Sequence, residues 1–135
     1  MKWDDVVSGI GAVVGGALVL LFGGWDMLLS TLVCLIVLDV VTGFIRAGVQ
    51  GKLSSDVSYK GILRKVLIFA IIAVAAQVDR VLNSKSVIRS VVAGFYCGNE
   101  GLSILENAVA AGLPVPEPLR QALENVAQGK FQKEG

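Results

Sequence analysis

Val66 to Ala76 reads VLIFAIIAVAA, an unbroken apolar run. A soluble helix shows apolar residues on one face only. Here every face is apolar, as in a helix surrounded by hydrocarbon or buried in a large core. Working outward, the run extends over about 66–82, with Arg64 and Lys65 before it and the short polar stretch Asn83-Ser84-Lys85-Ser86 after it. At about 1.5 Å per residue, such a segment covers most of a hydrocarbon layer about 30 Å thick.

The same pattern recurs on both sides. Residues 6–22 form an apolar stretch that ends at Gly23-Gly24, and residues 25–45 form a second one behind a very short turn. So short a connection makes the two an antiparallel hairpin, and Trp25 suits an anchor at the membrane interface. The first stretch is expected to stay as a span: Asp4 and Asp5 offset Lys2, and no A-x-A-like cleavage site follows. Residues 87–113 make a fourth apolar segment, after which Pro114, Pro116 and Pro118 stop the helix. Leu119, Ala122, Leu123 and Val126 then recur at helical spacing, describing a short amphipathic helix that lies on the membrane or docks on the bundle.

The expected fold is therefore all-α: an integral membrane protein with four transmembrane helices over residues 1–113, followed by a cytoplasmic amphipathic helix and tail over 114–135. Lys and Arg are retained in cytoplasmic loops. With both termini inside, Lys2, Arg120, Lys130, Lys133 and the basic loop residues Arg46, Lys52, Lys60, Arg64 and Lys65 all face the cytoplasm, leaving Arg80, Lys85 and Arg89 outside. The loop is expected to turn helical after Ser55 as an N-cap. A three-span arrangement with the fourth segment lying flat is the structural alternative.

Composition narrows the function. The chain is 54% hydrophobic and 17% charged, against about 45–50% and about 25% for soluble domains. A net charge of +1 gives no reason to expect a nucleic-acid partner. Histidine is absent, and no Ser or Cys nucleophile has a base at a recognisable spacing, so neither catalysis nor a metal or cofactor site is expected. Cys34 and Cys97 each sit within an apolar segment, as small buried hydrophobes do.

What remains is polarity inside the apolar segments. On a helical wheel of the fourth segment, Arg89, Tyr96, Glu100, Ser103 and Asn107 share one arc, widened by Asn99 and Glu106, while Gly94, Gly98 and Gly101 share another face. The polar arc either faces water and neighbouring subunits or forms the satisfied interior of a four-helix monomer; both readings stand at this point. Glycine faces allow close approach between helices in lipid, and the first segment offers Gly9 and Gly16 together with the Gly11-x-x-x-Gly15 pair. Asp39 in the second span and Asp79 late in the third add ionisable groups, and Asp79 and Arg89 lie at depths that allow them to pair.

Asp39-Val40-Val41-Thr42-Gly43, Lys52-Leu53-Ser54-Ser55, Lys60-Gly61-Ile62-Leu63-Arg64-Lys65 and especially Asn99-Glu100-Gly101-Leu102-Ser103-Ile104-Leu105-Glu106-Asn107, with Gly112-Leu113-Pro114 behind it, carry a resemblance. Over roughly residues 28–123 the chain resembles the toxin-secretion and phage-lysis holins. That resemblance implies a homo-oligomeric lesion in the bacterial cytoplasmic membrane, with a cell-wall hydrolase or a toxin as its functional partner, and no catalytic residue or cofactor. A regulated ion channel or proton-coupled transporter using Glu100 and Asp39, and an antiholin-type regulator, are the rival expectations.

Overall fold

The computed structural model describes residues 2–53 and 55–130, which form five α-helices: α1 (Trp3–Phe22), α2 (Met27–Val49), α3 (Ser55–Leu82), α4 (Val87–Ala110) and α5 (Glu117–Ala127). Helices α1, α2 and α3 are long and apolar enough to cross a membrane. The all-helical membrane architecture read from the apolar runs is thus present. Helix α4 has comparable length, but Arg89, Glu100 and Glu106 interrupt its apolar character.

Helix α2 continues past residue 45 to Val49, and α3 begins at Ser55, in line with the helical turn expected there, and runs unbroken into the apolar run at 66. The expected basic loop is therefore mostly helix: Arg46 sits in the last turn of α2, Lys60, Arg64 and Lys65 ride on α3, and Lys52 alone of the five falls in the connection. A continued helix satisfies its own backbone, and the long stems of Lys and Arg let their charges reach polar surroundings from it. The expected capping role of Ser55 concerns a side chain outside the described residues, as do Ser54 and Lys133.

Helix α1 stops because Gly23 adopts the left-handed conformation at φ +75° and returns its N–H to the Val19 carbonyl. The carbonyls of Leu20, Leu21 and Phe22, left unpaired at this helix end, receive side chains, and Val19 O accepts one as well. Gln77 donates to Leu20 O at 2.9 Å and to Leu21 O at 3.1 Å, Arg80 to Val19 O at 2.8 Å, and Arg89 Nε to Phe22 O. Cations here also oppose the negative end of the helix dipole. Asp26 then caps α2, accepting from Leu29 N at 3.1 Å.

Helices α2, α3 and α4 meet around Leu29, Leu32, Ile68, Ile72, Ala93 and Cys97. Helix α1 buries no residue and leans on α3. Many large apolar side chains of the first three helices point outward, Val13 at 73% and Val74 at 62% exposure among them; on helices of this length and hydropathy, that is a lipid-facing surface. Side-chain contacts appear in the same order along α2 and α4, from Asp26 with Arg89, through Leu28 with Cys97, to Arg46 with Asn107. The two helices are therefore parallel and occupy the same layer.

Candidate functional site

The half of the bundle toward the α2–α3 connection holds a buried charge cluster. Asp39 comes from α2, Lys65 from α3 and Glu100 from α4, and the Lys65 ammonium donates to Asp39 Oδ2 and, at 2.6 Å, to Glu100 Oε2. The two carboxylates are 7% and 8% exposed and the ammonium 19%. One cation faces two carboxylates, so with all three groups ionised the cluster carries one excess negative charge.

Asn107 extends the network. Its amide donates to Asp39 Oδ1 at 3.1 Å and to Thr42 Oγ1 at 3.0 Å, while its carbonyl oxygen accepts from Arg46 at 3.4 Å. Thr42 passes its own proton to Leu38 O at 2.8 Å. Every buried side-chain nitrogen and oxygen among the described residues has a partner, the condition under which a buried network is tolerated. Beside it lies a cavity of about 260 Å³, with Asp39, Lys65, Ser103 and Asn107 on its polar side and Phe44 and Ile62 on its apolar side. It is roomy enough for water, and its polar side offers the partners a water needs.

A second cluster closes the other end. Arg89, 3% exposed, makes a forked contact with Asp26, at 2.7 Å from Nη1 to Oδ2 and 3.2 Å from Nη2 to Oδ1. Beside this guanidinium, and despite some burial, the Asp26 carboxyl is held below the usual carboxylate range. Asp79 does not bind the Arg89 guanidinium, as its depth had allowed. Its carboxylate accepts from the backbone N–H groups of Ile88 at 3.0 Å and Arg89 at 2.8 Å and from Ser84 Oγ at 2.5 Å. It serves as the N-terminal cap of α4, where the unpaired N–H groups and the helix dipole both favour an anion.

The polar arc of α4 therefore divides. Arg89, Glu100 and Asn107 are buried and paired inside the chain, Tyr96 and Ser103 are half-buried at its edge, and Asn99 and Glu106 lie exposed. Neither exposed residue has a hydrogen-bond partner among the described residues. They share the outer stripe of α4 with Val91, Phe95 and Val109, all about half exposed. Asn99 lies at mid-helix, where an unpartnered polar group is costly in hydrocarbon, and Glu106 lies one turn from the Ala110 end.

The glycine face of α4 is covered from within the chain. A Cβ on Gly98 would stand 2.5 Å from the backbone nitrogen of Ala127, and one on Gly101 would stand 2.5 Å from Leu123 Cδ2. Both contacts come from α5, which runs antiparallel to α4 and turns Arg120, Leu123, Val126 and Ala127 inward. Of the two placements open to the amphipathic helix, it takes the bundle. Gly94 is buried as well. By contrast Gly9, Gly11, Gly15 and Gly16 have nothing within 4 Å of an added Cβ.

The sequence alone groups Lys65 with the loop cations, shows Thr42 only as part of the Asp39–Gly43 motif and Asp26 only as part of the turn before the second span, and assigns a partner to none of the three. Lys65 directly abuts the run VLIFAIIAVAA, the one signal that it could lie inside the bundle. Arg89 and Asp26 are far apart in sequence and become neighbours only when α4 returns beside α2.

Comparison with known proteins agrees with the architecture. The family model for the bacteriophage holin family matches residues 16–128. An uncharacterized protein of Listeria innocua is 42% identical over 117 residues, covering 87% of this chain and 81% of the relative. An uncharacterized 14.9 kDa protein from the nagH 3′ region of Clostridium perfringens is 42% identical over 131 residues, covering 96% and 95%. The probable holin of Bacillus phage phi105 is 31% identical over 105 residues, covering 78% of each. No solved structure matches the chain. Membrane-spanning helices, the match over most of the length and the similarity to a phage protein of that description together place this chain in the bacteriophage holin family.

Proposed function

We propose that the chain assembles into oligomeric lesions in the bacterial cytoplasmic membrane, through which a cell-wall hydrolase or a toxin leaves the cell. In this reading α4 is a fourth span, both termini face the cytoplasm, and the conformation described here is the closed subunit. Assembly turns the polar side of α4 toward water, with Asn99 and Glu106 first and the flanking Ser103 and Tyr96 beside them. Fuller opening separates Glu100 from Lys65.

One observation carries the proposal: Asn99 and Glu106 stand exposed and unpartnered, among the described residues, on a helix that runs beside the membrane-spanning α2. Lipid is a poor solvent for that stripe. Association around a water-filled opening removes the conflict, and it does so only when enough subunits meet, which makes lesion formation depend on concentration by mass action.

A second reading, a channel or proton-coupled transporter, draws on the Asp39, Lys65 and Glu100 cluster beside its cavity. The two differ in what crosses. Expression with a cell-wall hydrolase, following optical density, membrane potential and the appearance of a folded cytoplasmic enzyme outside the cells, separates them. Escape of folded protein, delayed in a well-expressed Asn99→Leu/Glu106→Leu variant, is the expected result. Ion leakage without protein escape would favour the transporter reading, and expression without any loss of potential would favour an antiholin-type regulator.

A further inference from the structure

Helix α5 lies at an unexpected level. Ala127 sits on Gly98 and Leu123 on Gly101, and the adjoining Cys97 faces the Leu28 carbonyl in the first turn of α2. The C-terminal end of α5 is therefore level with the beginning of α2, and its start is level with the lower half of α4. If α2 crosses the bilayer, so does most of the layer that α5 occupies. Yet the outward arc of α5 carries Gln121, Glu124, Asn125 and Gln128, all exposed. Such an arc suits water and not hydrocarbon.

The attachment is intimate but shallow. Two glycines admit the α5 backbone and one leucine side chain, where a β-carbon on α4 would collide with either. At the same time α5 has only 11 residues and buries none of them fully. Its tether is a turn through Gly112, at φ +97°, and the Pro114-Val115-Pro116 stretch. A short helix docked through half-buried side chains on one face of α4, with its polar face at an unfavourable depth, can leave without taking apart the core shared by α2, α3 and α4.

We propose that α5 is a removable cap on the glycine face of α4: docked in the closed subunit, it moves to the cytoplasmic surface on assembly and yields Gly98 and Gly101 to α4 of a second copy of this chain. The proposal rests on the oligomeric reading above and adds its control. At the interface the amphipathic helix keeps its apolar side in the headgroup boundary and gives its polar arc to water. The vacated glycine face offers the close backbone approach on which helix association in lipid depends.

The test uses the full chain in inner-membrane vesicles, with Cys34 and Cys97 replaced by alanine and a single cysteine introduced as Ala127→Cys. A water-soluble maleimide applied from the cytoplasmic side should label this thiol slowly at low protein density. Labelling should rise several-fold in the crosslinkable oligomer. A companion variant, Leu123→Asn/Val126→Asn, weakens docking without shortening the chain, and should raise the oligomer fraction several-fold at equal protein level. Protection of position 127 in the oligomer equal to that in the monomer would overturn the cap, as would unchanged assembly of the companion variant. Adding Gly98→Leu to the companion variant isolates the underlying reading: loss of the gained oligomer supports association through α4, whereas no effect removes the glycine face as the contact, whatever position 127 reports about α5.

Discussion

Lys65→Met removes the one ammonium that balances Asp39 and Glu100, and its consequence can be worked from the geometry. In the closed subunit both carboxylates are more than nine-tenths covered, and the cation lies 2.6 Å from Glu100 Oε2. Removing one member of a buried ion pair costs about 3–5 kcal/mol, because the partner keeps its desolvation penalty and loses its compensation. Here two partners are stranded, so the upper part of that range is expected. Glu100→Gln acts differently: it removes the excess charge and leaves Asp39 and Lys65 as a neutral pair, so the closed subunit should lose little stability or gain some. Reconstituted protein titrated with SDS, followed through Trp25, which packs edge-on against Phe22, gives both values. The reasoning fails if Lys65→Met unfolds at the wild-type midpoint, or if Glu100→Gln is the more damaging of the two.

Two further outcomes are expected. With the native cysteines replaced, thiols at Lys52 and Leu113 should react with an impermeant reagent only after the membrane is opened, and one at Ser84 in intact cells; labelling of position 113 from outside would reverse the assigned direction of α4. At the opposite end, the depressed pKa of Asp26 means that its pairing with Arg89 stabilises the fold fully above the ordinary carboxylate range near about 3.9 and is lost as pH falls through the lower folded value. Asp26→Asn should therefore lower stability at neutral pH and flatten the acid limb of the stability curve, and an unchanged acid limb would show that the pairing does not stabilise the fold.

The apolar runs told most of the architecture because a helix in lipid must be apolar over its length, and no partner information is needed to see that. The fate of the polar residues was less legible. Glu100 and Asn107 could face water or a satisfied interior, and the wheel alone does not choose; the choice depends on Lys65, whose helix starts well before the apolar run. Asp79 reads as a charge near Arg89 in depth, yet it caps α4 because the turn 83–86 swings the first N–H groups of that helix onto its carboxylate. Gly98 and Gly101 of α4 lie under α5. Nothing local to them says that the partner is α5, since Leu123 and Ala127 reach them only once the proline segment has folded the chain back.

The central claim is that α4 lines water in the assembled state, and cysteine scanning of that helix reads it most directly. In a chain free of native cysteines, thiols at Asn99, Ser103 and Glu106 should react with a small water-soluble reagent once lesions have formed, while those at Ile104 and Ala108, on the opposite side of the helix, stay slow. Equal reactivity around the helix, or protection of positions 99 and 106 in cells already leaking protein, would contradict the account.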